Sequence, residues 1–194
     1  MHLVIFDTEF TSWPGAMERN WSGEGEYREI FQIAAIKMRL DNRVLSHVES
    51  FNEIIKPTIN PSLSEYIIEL TQIRQDMVDD LGIDFRSSFG QFQSFFHEEA
   101  CIGLSWGNDE DVLRENCRIN KCSEDWVLPK LLNLRKIALA KQLSGTHLVS
   151  GELAKHYGVE LKGHTHNALH DVKSIAATLQ IWIENADLSR SDFI

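Results

Sequence analysis

Cysteine and positive charge are both scarce in this chain, and long apolar runs are missing, so several classes of protein drop out at once. The three cysteines, Cys101, Cys117 and Cys122, are odd in number and show no CxxC spacing. That argues against a disulfide framework and against a thiolate zinc site, and leaves three small apolar groups for the interior. No apolar run nears the roughly 20 residues that a bilayer span requires. The opening MHLVIFDTEF has no basic region ahead of a long apolar stretch, so no secretory signal is expected. Reduced thiols without a signal or a span imply a cytoplasmic protein that does not associate with membranes. Lys and Arg number 19 against 29 Asp and Glu, a net charge of -10. Tight, extended binding to a duplex, which needs a basic face, is thereby disfavoured. A site that takes one strand end is not disfavoured if the acids gather where they hold cations. Bound divalent ions invert the local field and present positive charge to a phosphodiester.

What remains is an ordinary globular composition, 43% hydrophobic and 25% charged, which suits one domain over residues 1–194. HLVIFD (2–7) is a β-branched apolar run that ends at an aspartate, a buried strand delivering Asp7 to its carboxyl end. Residues 11–28 hold three glycines and a proline and form a loop. Strands over 29–40 and 44–56 flank the turn-like Asp41-Asn42, which predicts an antiparallel hairpin. Helices follow over 62–70 and 85–98, the latter with Phe85, Phe89, Phe92, Phe95 and Phe96 on one stripe that reads as a core face. CIGLSWG (101–107) is a fourth strand that hands over to a helix at DEDVLREN. Residues 126–143 read as a strand or loop and then a helix. In SGELAKHYG (150–158), Ser150 is the expected N-cap and Gly158 the expected C-cap. A last helix spans about 168–186. The order predicts an α/β fold, a mixed sheet of about five strands with an antiparallel hairpin at one side and helices packed on it.

Three acidic segments sit where ligands gather in such sheets, at strand carboxyl ends. In the first, Asp7 and Glu9 alternate across Thr8, so an extended backbone puts both carboxylates on one face. Taken alone they are also consistent with a solvated strand terminus. Buried together they would be costly without a cation, and their all-oxygen chemistry favours Mg²⁺ or Mn²⁺ over zinc. The second is Asn108-Asp109-Glu110-Asp111, part of which merely suits a helix dipole. The third runs from Gly163 to Asp171. Its His164, His166 and His170 make an HxHxxxH pattern that, with no partnering thiolate, is only a loose match to a zinc site.

Together the segments resemble the three motifs of the DEDDh 3′-5′ exonucleases, relatives of the proofreading subunit of bacterial DNA polymerase III with the ribonuclease H-like fold. FDTEF resembles the first motif and SWGNDEDVL the second, where spacing to Leu113 favours Asp109 over Asp111. HNALHDVKSIA resembles the third, with His166, Ala168 and Asp171 at the head of a helix. The stretch from Lys56-Pro57 to Leu70-Thr71 is similar to the subgroup of histone-mRNA and small-RNA 3′ exonucleases and bacterial sporulation-inhibitor-like exonucleases. Two departures are Phe10, where the subgroup often has a small residue, and His170, at a position often acidic.

The resemblance implies that Asp7, Glu9, Asp109 and Asp171 hold two Mg²⁺ or Mn²⁺ ions and that His166 is the general base. With an ordinary pKa near 6.5, a histidine would be the one group here to titrate in that range. The substrate would be the 3′ end of single-stranded RNA or DNA, released as nucleoside 5′-monophosphates. Phe10, Thr11 and Trp13 would contact the bound end. The loop carrying Trp13, Trp21 and Tyr27 is either a wall for a terminal base or a loop folded on its own aromatics. Two other classes compete: a catalytically idle binding module, whose signature would be a lost carboxylate or histidine, and a phosphohydrolase of free nucleotides. None of the five residues is lost.

Overall fold

The computed structural model describes residues 1–97 and 101–194. Its layout follows from the first strand, β1 (His2–Phe10), whose residues Leu3 to Phe6 are all fully buried. Burial on both faces marks a central strand. Leu3 and Ile5 face one apolar cluster, Val4 and Phe6 the other. β2 (Ile30–Asp41) pairs antiparallel with β1, and β3 (Val44–Ile54) continues the expected hairpin. Helices α1 (Glu65–Thr71), α2 (Gln75–Leu81) and α3 (Phe85–Ser94) follow. β4 (Cys101–Ser105) returns parallel to β1 and passes into α4 (Asp109–Ile119). β5 (Leu131–Asn133) pairs parallel with β4, and α5 (Leu134–Ala140) follows at once. A 3₁₀ turn, Ser150–Glu152, precedes α6 (Leu153–His156), and α7 (Ala168–Glu184) closes the domain. The strand order is β3-β2-β1-β4-β5, the mixed five-stranded sheet with its hairpin at one side that the sequence predicts.

The α5, α6 and α7 helices cover the Leu3/Ile5 face, and α3 and α4 cover the Val4/Phe6 face. The phenylalanine stripe is core: Phe85, Phe89, Phe92, Phe95 and Phe96 are buried, each ring adding roughly 1.5–3 kcal/mol over an exposed one. Position 98 of the expected helix lies outside the described residues. α2 has no counterpart in the sequence reading, because QDMVDDL shows too little apolar periodicity to declare a helix.

Two departures bear on the site. β1 runs three residues past Asp7, because Thr8 and Glu9 keep pairing with Ile33 and Gln32 of β2. Its pairing with β4 ends at Ile5, so Asp7 and Glu9 project beyond the point where β4 turns away. Ser150 is not an N-cap, because its hydroxyl is used elsewhere. Gly158 does end α6 at φ +78°, one residue past the cap Tyr157. No described helix is long and apolar enough to cross a membrane.

Candidate active site

Side-chain parity on β1 sorts the acids. Asp7 and Glu9 share the Leu3/Ile5 face, which is the α7 face, and there they meet Asp171 from the first turn of α7. Carboxylate oxygens of Asp7, Glu9 and Asp171 lie within 4.8 Å of one another, all three residues buried. Thr8, of opposite parity, faces α4. Its N–H and hydroxyl both donate to Asp109 Oδ1, at 3.1 and 2.8 Å. Asp109 is therefore tethered beside the trio rather than inside it. Asp111 is exposed and outside the cleft.

The start of α7 is held by long-range contacts. Asn167 makes no side-chain cap, and Gln32 Oε1, on β2, accepts from Ala168 N at 2.9 Å instead. Asp171 Oδ2 accepts from Ser150 Oγ at 2.8 Å, and Oδ1 from His166 N at 3.3 Å. His166 reaches that bond with a left-handed backbone, φ 67°, a conformation that costs a non-glycine residue energy and is held here by the surrounding contacts. Gly151 is packed against the same carboxylate: a Cβ there would lie 2.4 Å from Asp171 Oδ1.

These groups open onto one cleft of about 510 Å³, lined by Asp7, Glu9, Asp109, Asp171 and His166 among others. Burial pushes the carboxyls of Asp7 and Glu9 well up, and the neighbouring carboxylates push them further. Burial raises Asp109 as well, against the Thr8 hydrogen bonds. Burial carries Asp171 to about 6, opposed by the Ser150 hydroxyl. A histidine is thus not the only group to titrate near that range, contrary to the sequence expectation. Burial, then His164, lowers His166 from 6.5. Carboxylates forced together without a cationic side chain among them, on oxygen donors alone, fit hard divalent cations.

The three histidines of the HxHxxxH pattern part company. His164 is exposed, with Nδ1 on Thr165 O, and His166 reaches the cleft. His170 is buried, with Nε2 donating to Gly151 O at 3.2 Å.

A family model described as exonuclease, of the RNase T type, matches residues 4–179. The chain belongs to this exonuclease family. ERI1 exoribonuclease 2 of Xenopus laevis is 25% identical over 203 positions, covering 90% of this chain and 27% of that protein. The 3′-5′ exonuclease crn-4 of Caenorhabditis elegans is 25% identical, covering 92% of this chain and 61% of its own length. This chain thus spans about a quarter of the first relative and under two thirds of the second. Among solved structures, the nuclease domain of 3′hExo, a DEDDh family member bound to rAMP, superposes with a TM-score of 0.79 at 22% identity, covering 97% of this chain and 94% of that one. The fold is ribonuclease H-like.

Within this exonuclease fold the candidate contact residues separate. Phe10 lines the cleft, its ring 5.6 Å from that of Trp21, which lines it too. Thr11 is buried and closes the loop instead, donating to Tyr27 O and accepting from Glu29 N. Trp13 is half-buried and outside the lining, and Tyr27 is largely exposed. Trp21 folds onto Phe10, as expected of a loop packed on its own aromatics, and it also lines the cleft. Sequence reasoning missed Thr8, Gln32, Ser150 and Gly151 as supports. Only Thr8 carried a signal, its position between the two carboxylates. The others act across 19 or more residues.

The raised Asp171 carboxyl has a consequence for stability. The native chain retains a proton there that the unfolded chain gives up near 3.8, so stability without metal falls as pH rises from about 4 through about 6. Asp171→Asn, which cannot titrate, should be more stable than the wild type in EDTA at pH 7 by on the order of 1–3 kcal/mol. That advantage should vanish near pH 4. Thermal scans at the two pH values check this, and a difference independent of pH would contradict it.

Proposed function

We propose that this chain is a 3′-to-5′ exonuclease acting on single-stranded RNA or DNA ends. The carrying observation is the convergence of Asp7, Glu9 and Asp171, with Asp109 and His166, in one cleft of an exonuclease-family fold. The carboxylates of Asp7, Glu9, Asp109 and Asp171 would hold two divalent cations, Mg²⁺ or Mn²⁺. When bound, the cations supply Lewis-acid polarisation of the phosphodiester and charge stabilisation of the leaving oxygen.

The remaining chemistry belongs to the chain. His166, neutral at pH 7 because burial lowers its pKa, takes a proton from the attacking water. The water oxygen bonds to phosphorus as the bond to the 3′ oxygen of the preceding nucleotide breaks, releasing a nucleoside 5′-monophosphate. Ser150 and the His166 N–H orient Asp171, and Thr8 orients Asp109. Phe10 and Trp21 offer an aromatic surface to the terminal base.

The test is a gel of 5′-labelled and 3′-labelled single strands, as RNA and as DNA, with Mn²⁺ or Mg²⁺. The 5′-labelled strand should shorten one nucleotide at a time, and the 3′-labelled strand should release labelled mononucleotide at once. A closed circle should survive. Rapid cutting of the circle, or turnover of free nucleoside triphosphates in preference to strands, would overturn the reading.

A further inference from the structure

We propose that Arg135 binds the phosphodiester immediately upstream of the scissile linkage, with His147 beside it. The inference rests on the 3′-to-5′ exonuclease reading and adds to it a residue outside the three acidic motifs.

The cleft has two unlike walls. Phe10 and Trp21 make one aromatic, suited to the flat face of a base. The cation on that side, Arg28, is engaged, paired with Glu115 at 2.6 Å and lying 5.4 Å from the centre of the Trp21 ring. Asn133, Arg135 and His147 form the other wall. Arg135 is exposed, and among the described residues no carboxylate pairs with it. Its Nε donates to Thr146 O at 2.6 Å. That bond fixes the guanidinium plane and leaves both Nη groups to an acceptor in the cleft, in the planar fork that suits a phosphate.

The charge does little for its own helix. Arg135 is the second residue of α5, beside Lys136, in a first turn with no acidic residue. A helix dipole disfavours cations there, and α4, with Asp109, Glu110 and Asp111 in its first turn, obeys the rule that α5 breaks. An exposed cation that serves neither an ion pair nor its own helix, at the rim of a cleft for a polyanion, suits the backbone of the strand.

Its mounting is firm. Three side chains from separate parts of the chain capture alternate carbonyls of the segment that carries His147. Tyr157 Oη donates to Ser144 O at 2.8 Å, Arg135 Nε to Thr146 O at 2.6 Å, and Trp106 Nε1 to Leu148 O at 2.9 Å. Two residues on, Ser150 holds Asp171. The guanidinium is thereby tied to the carboxylates through one short stretch of backbone, which keeps its offset from the cleaved linkage constant.

The experiment neutralises one phosphate of the substrate. Single strands with a methylphosphonate at the linkage just 5′ of the scissile one should show KM raised about tenfold or more for the wild type, with kcat little changed. Arg135→Ala should raise KM on the unmodified strand by a similar factor and lose sensitivity to the methylphosphonate. Its log–log dependence on salt should also be shallower by about one. Tyr157→Phe releases Ser144 O but keeps the guanidinium, so it should retain the methylphosphonate penalty. A wild type indifferent to the methylphosphonate would overturn the proposal, as would Arg135→Ala remaining fully sensitive to it or a penalty expressed in kcat. A wild type that cleaves no strand at all would instead refute the exonuclease reading beneath it.

Discussion

Asp7→Asn and Asp171→Asn should each lower the rate of 3′-end removal by about 10³-fold or more, while the folded protein persists. The magnitude follows from losing several kcal/mol of charge stabilisation at the phosphodiester, at about 1.36 kcal/mol for each tenfold. Folding should survive because the three carboxylates repel one another and are buried, so neutralising one removes a cost. Glu9 and Asp109 belong to the same expectation with different partners. Asp109→Asn keeps its shape against Thr8 yet loses a charge from the cleft, and should fall by a comparable factor. Asp111→Asn, exposed and outside the cleft, should change little. The same site predicts full loss of activity in EDTA and recovery with Mn²⁺ or Mg²⁺. Initial rates on a 5′-labelled strand, with circular dichroism as the folding control, check these statements. Activity undiminished by EDTA would remove the cations from the proposal altogether, and a large loss in Asp111→Asn with little in Asp109→Asn would place the second motif two residues later.

His166→Ala should cost roughly 10²–10⁴ in rate, the usual worth of a positioned general base, without weakening cation binding. The left-handed backbone at this position adds a complication, since alanine tolerates φ 67° poorly. His166→Asn, which adopts that conformation more readily, should show the same loss, and agreement between the two would separate the ring from the backbone. The pH dependence gives the sign. A base is useful when neutral, and burial lowers the His166 pKa from 6.5, so the wild-type rate should rise below that value and level off by pH 7. Asp171, raised to about 6 without metal, would produce a similar limb through loss of cations. The measurement therefore needs saturating Mn²⁺ at every pH. Under that condition both variants should lose the acidic limb. An unchanged profile and rate would dismiss His166 as the base and leave His164, exposed, and His170, buried on Gly151 O, as the remaining histidines of the segment.

Much of the site was legible because it is written in short-range periodicities. A two-residue repeat places Asp7 and Glu9 on one face of a strand whatever the rest of the chain does. The apolar spacing after Ala168 predicts α7 and sets Asp171 in its first turn. The Asp41-Asn42 turn implied the hairpin, and the burst of acids after Gly107 marked the handover from β4 to α4. Other features rest on groups far apart in the chain. Nothing near Ser150 distinguishes a helix cap from a hydroxyl for Asp171, 21 residues later. Thr11 looked available to a substrate until the loop closed on it from Tyr27 and Glu29. The preference for Asp109 over Asp111 rested on a motif register alone, whereas the structure adds a tether from Asp109 to Thr8, 101 residues away, and leaves Asp111 outside the cleft.

Taken by itself, then, the sequence determined which residues carry charge, which faces of which elements they occupy, and the order in which strands and helices arrive. Those properties depend on dihedral preferences and side-chain spacing within about a dozen residues. Only the tertiary structure decided how close the carboxylates come and how far their pKa values move. It also decided which loop residues face the cleft and which cation at its rim has no carboxylate partner among the described residues. Distance and desolvation belong to pairs of groups, and here the partners come from strand β1 and from helices α4 and α7, which meet only when both faces of the sheet are covered.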